Sequence, residues 1–210
     1  QECHYNDDLG GNCTDPKLCG KYPTGCVATA VAQVLRHHES PSVFTWEHML
    51  DDYRDHNASI AQEHTAAIAE LMEDVGDNFD MYYTCNGSGA DLCNWVDTII
   101  LWVYGYSDCD PCESWDAEMY VKVKNEIDDD RPVLLKSDRF QASGHAWVCD
   151  GYHYKNICLW DEVKKEMYQV GYGYLHMNWG SDGDGNGFFS YYTFGGEYVI
   201  DQEVVINIKP

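Results

Sequence analysis

The run Thr24-Gly25-Cys26-Val27-Ala28-Thr29-Ala30-Val31-Ala32-Gln33 reads as a small-residue turn feeding directly into a helix, with Cys26 in the first helical turn. Backbone N–H groups without helical partners and the positive end of the helix dipole stabilise S⁻ over SH at that position, which makes such a cysteine a nucleophile. A nucleophile needs a base. Far downstream, Ser143-Gly144-His145-Ala146-Trp147-Val148-Cys149-Asp150-Gly151-Tyr152 puts a histidine behind a glycine at the head of an alternating stretch that reads as a strand. A helix-terminal cysteine and a distant strand histidine form the pairing used for acyl chemistry through sulfur.

Outward from these two segments the chain divides by texture. Residues 1–24 are polar, rich in Gly and Cys and without periodicity, so they read as a disulfide-stapled arm. The Cys26 helix ends near His37-His38-Glu39-Ser40, ahead of Pro41. Helical spacing recurs at Ile60, Ala67, Ile68, Leu71 and Met72, with Gly76 as a stop, and Leu92 to Tyr104 and Trp115 to Ile127 are further helix candidates. After Pro132 the sequence turns to short β-rich pieces at 132–137, 144–152, a hairpin over 156–169, then 172–179, 187–193 and 197–208, separated by Gly, Asn and Asp clusters. The expected class is α+β: a mainly helical lobe over 25–130 and a mainly antiparallel β lobe over 131–210, in one catalytic domain spanning 1–210 with a cleft between the lobes. Internal repeats and flexible linkers are not evident in the sequence.

Thirteen Lys and Arg against thirty-six Asp and Glu give a formal charge of −23, which repels nucleic acid and suits a well-solvated extracellular surface. No apolar run approaches membrane-spanning length, and a chain opening on Gln1 without a basic, apolar leader reads as a processed mature form. Ten cysteines point to an oxidising compartment. With Cys26 set aside, the odd remainder predicts four bridges and one more free thiol, assigned to Cys149 in its buried-looking strand. Proximity favours Cys85 with Cys93 and bridges among Cys3, Cys13 and Cys19; Cys109-Asp110-Pro111-Cys112 reads as a structural disulfide rather than a redox or zinc site. Sequons stand at Asn12, Asn57 and Asn86.

These segments together resemble the streptopain-like cysteine peptidases. Thr24 to Ala30 looks like that family's nucleophile motif, Ile68 to Gly76 like its middle helix, and Gly144 to Gly151 like its histidine strand. Leu175-His176-Met177-Asn178-Trp179-Gly180 resembles its Asn-Trp-Gly segment, Gly187-Phe188-Phe189 the strand after it, and Val204 to Pro210 its last strand. The resemblance implies a papain-like two-lobe fold and a secreted endopeptidase, made as a zymogen with an inhibitory pro-segment, acting on protein or peptide substrates. Cys26 would attack the scissile carbonyl, and His145 would take the thiol proton and return it to the leaving amine. Asn178 would orient the imidazole, Trp179 would shield that contact from water, and the backbone N–H of Cys26 would face the oxyanion.

The chain departs from the family where a glutamine precedes the histidine strand: Lys136 follows Arg131-Pro132-Val133-Leu134-Leu135, and Gln141 is shifted in register. Ser181 replaces a second tryptophan, and Asp7 and Asp8 stand where Gln-Gly is expected. Two other readings are carried: an inert extracellular binding or structural protein on the same fold, motivated by Lys136, and an acyl transferase using the same Cys-His pair. No cofactor is required. Asp182, Asp184 and Asn186, alternating with glycines, resemble the opening of a calcium loop, with Thr193 rather than Glu at position twelve, so a structural calcium is the one metal considered. His37, His38 and His153 read as a solvated helix end and a hairpin turn.

Overall fold

A computed structural model describes residues 3–50, 58–116, 118–139, 142–191, 194 and 198–210. Four helices precede most of the sheet: α1 (Cys26–His38), α2 (Ala58–Asn78), α3 (Val96–Trp102) and α4 (Met119–Asp128). The strands are β1 (Glu113–Ser114), β2 (Val133–Arg139), β3 (Ala142–Asp161), β4 (Glu166–Asn178), β5 (Gly187–Ser190) and β6 (Tyr198–Val205). They form one six-stranded sheet in the order β1-β6-β2-β3-β4-β5, antiparallel at every pairing. The α+β class is as read from the sequence.

The sheet is covered on both faces, and alternation along its strands decides which residue goes where. Leu134, Ala146, Val148 and Val205 point into a core shared with α1, α2 and α3. Val133, Leu135, Trp147, Cys149, Leu175, Met177 and Val204 point the other way, into a core with Met119 and Val123 of α4. In α1 nearly all small and branched positions are buried, including Val27, Ala28, Val31, Val34 and Leu35. Each fully buried Leu or Val contributes about 2 kcal/mol of apolar transfer.

Several boundaries differ from the expected ones. Helix α2 runs through Gly76 to Asn78; a Cβ on Gly76 would lie 1.8 Å from the Tyr83 hydroxyl, so the glycine serves close packing and not helix termination. Helix α3 starts only after Trp95, whose left-handed φ of 70° forms its cap. The histidine strand and the expected 156–169 hairpin are one feature: β3 continues from Ala142 to Asp161 and turns back at once into β4. A register shift between Cys149 and Gly151 breaks the alternation, which is why the sequence reads there as two pieces. His38 is half-buried, with Nδ1 3.1 Å from the Tyr106 hydroxyl, and is not a solvated helix end; burial, then neighbouring His37, lowers its pKa to about 4.

Cysteine pairing is corrected most. Cys13 pairs with Cys85, not within the arm, and Cys93 pairs with Cys112, not with Cys85. The Cys109–Cys112 motif is therefore not a disulfide. Cys109 is a buried free thiol, and Cys149 is free and buried as expected, but Cys158 is also free and exposed. Cys19 is disulfide-bonded. The side chain of Cys3, the sequon residue Asn57, the position-twelve residue Thr193 and Gln141 lie outside the described residues.

Candidate active site

The turn that delivers Cys26 is built on a glycine in a conformation that L side chains rarely adopt. Gly25 has φ 88° and ψ 160°, a region essentially confined to glycine. A Cβ there would sit 2.4 Å from Met81 Cε and 2.6 Å from the Ser88 carbonyl oxygen. Just before it, the buried Asn6 of the N-terminal arm accepts from the Thr24 backbone N–H at 2.9 Å and the Thr24 hydroxyl at 2.5 Å. Just after it, the Thr29 N–H and hydroxyl both donate to the Gly25 carbonyl, at 3.1 and 2.8 Å. Cys26, the first residue of α1, is a half-buried free thiol packed at the margin of the helical core. Its backbone N–H belongs to the unpaired set at the helix start.

His145 stands opposite Ser137 in the β2–β3 ladder. Its ring packs to one side of two indoles, stacked with Trp147 at 5.9 Å and with Trp179 at 6.1 Å between centroids, the indoles being 4.8 Å from each other. Nε2 is 2.9 Å from the Trp179 backbone carbonyl. A carbonyl can only accept, so Nε2 carries the proton of the neutral ring, and Nδ1 is left as its acceptor. Burial lowers the pKa of His145; the Trp179 hydrogen bond opposes this, and the Arg139 charge adds to the lowering.

The segment after β4 ties this histidine to the cysteine's helix. The Asn178 side-chain oxygen accepts from Gln33 of α1 at 3.4 Å, from the Gly180 N–H at 3.2 Å and from Asn186 at 3.3 Å. The Trp179 N–H donates to Asn186 Oδ1 at 3.0 Å, and its indole N–H donates to the Gly185 carbonyl at 3.1 Å. Gly180, at φ 72°, passes so close to Thr29 that a Cβ would meet its methyl at 3.0 Å. Thr29 is one helical turn from Cys26, and Gly180 directly follows the carbonyl that holds His145. A cavity of about 780 Å³ opens beside this contact; its polar edge includes Gln33, Arg36 and Asn178, and its apolar wall includes Ile68, Leu71 and Met72.

Three residues singled out in the sequence gain partners here. The imidazole's described hydrogen bond goes to the carbonyl of Trp179, one residue beyond Asn178, while Asn178 fastens the turn to α1. Asn186, considered as a calcium ligand with Asp182 and Asp184, gives its side-chain oxygen to the Trp179 N–H. Lys136 is paired to Glu203 at 2.9 Å and to Asp91 at 3.4 Å. Among the described residues, the only group of three His, Cys, Asp or Glu close enough to share a metal is Cys93, Cys112 and Glu203, and both of its sulfurs are already in a disulfide. Sequence reasoning missed the Trp179 carbonyl, because a backbone atom carries no residue-type signal. It also missed Gln33, although its place two turns after Cys26 was legible.

A profile of the peptidase C10 family matches residues 1–44 and 40–189 of the chain. The chain is 27% identical over 230 residues to the thiol protease/hemagglutinin PrtT of Porphyromonas gingivalis, covering 89% of this chain and 24% of that protein. It is 25% identical over 205 residues to streptopain of Streptococcus pyogenes, covering 79% of this chain and 45% of that protein. The chain thus spans less than half the length of these curated relatives.

Proposed function

The chain belongs to the peptidase C10 family, the streptopain-like cysteine peptidases, and on that premise we propose that it is an endopeptidase working through a Cys26 acyl-enzyme. The Cys26 sulfur attacks the scissile carbonyl as Nδ1 of His145 takes the thiol proton. The C=O π pair moves onto oxygen, facing the Cys26 N–H. Collapse of the tetrahedral adduct expels the amine, which takes the proton from the imidazolium, and a thioester remains. Water then attacks the thioester, His145 removing its proton, and the acid product leaves Cys26 as the thiol. No step draws on a metal. Trp179 both holds Nε2 and covers the ring, and Asn178 is a positioning residue acting through the turn.

The observation that carries this reading is the hydrogen bond from His145 Nε2 to the Trp179 carbonyl, since it selects the tautomer in which Nδ1 is the base. We read residues 1–210 as one catalytic unit: an arm over 1–24, a mainly helical lobe over 25–130 and a mainly β lobe over 131–210, with substrate lying across the papain-like cleft between the lobes. Protein and peptide chains are the partners, together with an inhibitory pro-segment. The disulfides support export from a reducing cytosol, and the acidic surface argues against nucleic acid.

An epoxide inhibitor of thiol proteases should label the 210-residue chain once, at Cys26. Cys26→Ser should lose the label and lower turnover of denatured casein on the order of a thousandfold or more. A folded chain that takes no label, or a serine variant that keeps turning over casein, overturns the proposal.

A further inference from the structure

The β3–β4 ribbon leaves the sheet. Strand β3 pairs with β2 only as far as Cys149, and β4 pairs with β5 only from Tyr174 onward. Beyond these limits, from Tyr154 with Gly173 out to Asp161 with Glu166, the two strands have only each other among the described residues. A two-stranded ribbon with both edges open is marginal in water, and its edges invite further pairing.

One face of this ribbon continues the inner face of the sheet. Tyr152 and Leu175 face each other at the α4 core, and the ring of Tyr120, on α4, covers the next inner position at Gly173. Beyond that point, Tyr154, Asn156, Cys158, Trp160, Met167 and Gln169 occupy the same face by register and are exposed: Tyr154 by 54%, Trp160 by 50% and Met167 by 58%. None of these six side chains is acidic or basic. Over 151–174 three lysines (155, 164, 165) balance three acids (161, 162, 166), a neutral segment in a chain of charge −23.

We propose that this ribbon face is where two copies of the chain associate. Charge selects the occupant: a basic partner is drawn to the acidic remainder of the molecule, whereas a second copy is repelled everywhere except along its own neutral arm. A two-fold axis passing near Ile157 sets Tyr154 of each copy against Trp160 of the other, an isologous contact between aromatic anchors. Cys158 of each copy then faces Asn156 of the other, so the two Cys158 thiols lie on either side of the axis, about 7 Å apart along the strand direction and within reach of a short crosslinker. Because the contact is apolar and the bodies repel, added salt tightens it, the opposite of an ion-paired interface.

Sedimentation equilibrium of the 210-residue chain, held under reducing conditions mild enough to keep its native disulfides, tests this. The expected result is a reversible dimer whose dissociation constant falls several-fold from about 0.05 M to about 0.5 M salt. It should rise at least about tenfold in Trp160→Asp and in Met167→Asp, with unchanged circular dichroism. A thiol-specific bifunctional crosslinker should join the dimer through Cys158 and fail on Cys158→Ser. A chain that stays monomeric up to about 100 μM, or a dimer indifferent to both aspartate substitutions, overturns the proposal.

Discussion

Burial beside two indoles takes the His145 ring out of water and disfavours its positive charge, and this governs how the site responds to pH. His145 is held neutral to a lower pH than an ordinary imidazole, chiefly by burial. The base form is present above that lowered pKa and is lost as pH falls through it, so the acid limb of kcat/KM lies below pH 6.5, the ordinary histidine value. Trp179→Ala keeps the backbone carbonyl but strips the covering ring. The limb should then move up toward the ordinary value, and activity at mildly acid pH should fall by a larger factor than activity near neutrality. A pH–rate profile of wild type and variant checks this, and a limb that does not move removes burial by Trp179 as its cause. At this scale Cys26 and His145 stand out in the sequence as candidates because each combines residue type with a local context, a glycine turn into a helix and a glycine into a strand. Sequence reasoning put the orienting contact on the Asn178 side chain, and the structure adds one at the next residue's carbonyl, a backbone atom that carries no residue-type signal.

The elements that present these residues work by close approach, and the turn into α1 is the tightest. Gly25→Ala would have to adopt a backbone conformation costing about 1–3 kcal/mol, and its methyl would overlap the Ser88 carbonyl oxygen, a backbone atom with little room to yield. The expected outcome is a folded chain with Cys26 displaced: single-site labelling by the epoxide slowed at least about a hundredfold, as a 1 Å misplacement costs, with a lower melting temperature. Labelling at the wild-type rate would mean that the turn does not position the sulfur. Helices and strands with clean periodicity, α1, α2 and β2, were visible in the sequence. What was not visible came from tertiary contact. Gly76 looks like a helix stop until Tyr83 is seen against it, and β3 looks like two pieces because its bulge shifts the alternation. The two-residue strand β1 exists only because β6 lies alongside it.

Across the whole molecule, the arm that precedes Gly25 is fastened at several points: Asn6 grips Thr24, Tyr22 stacks on Tyr83, and Cys13 is bonded to Cys85 on the loop that also carries Ser88. Sequence could count the cysteines but not pair them, since pairing follows three-dimensional proximity. The Cys13–Cys85 bridge spans 72 residues, and nearness in the chain pointed elsewhere. That long span makes its contribution large. Closing a loop of this length in the unfolded chain accounts for about 4 kcal/mol, against about 3 for the 19-residue separation of Cys93 and Cys112. Replacing both Cys13 and Cys85 by alanine should therefore lower the melting temperature by about 10 °C and by more than the Cys93/Cys112 double replacement does. Because the lost bridge also frees the arm and the loop flanking Gly25, labelling of Cys26 should slow in the first variant and not in the second. Scanning calorimetry and inhibitor kinetics on the two variants give both readings. Equal losses in both would mean that the arm neither stabilises the fold in proportion to its span nor steadies the nucleophile turn.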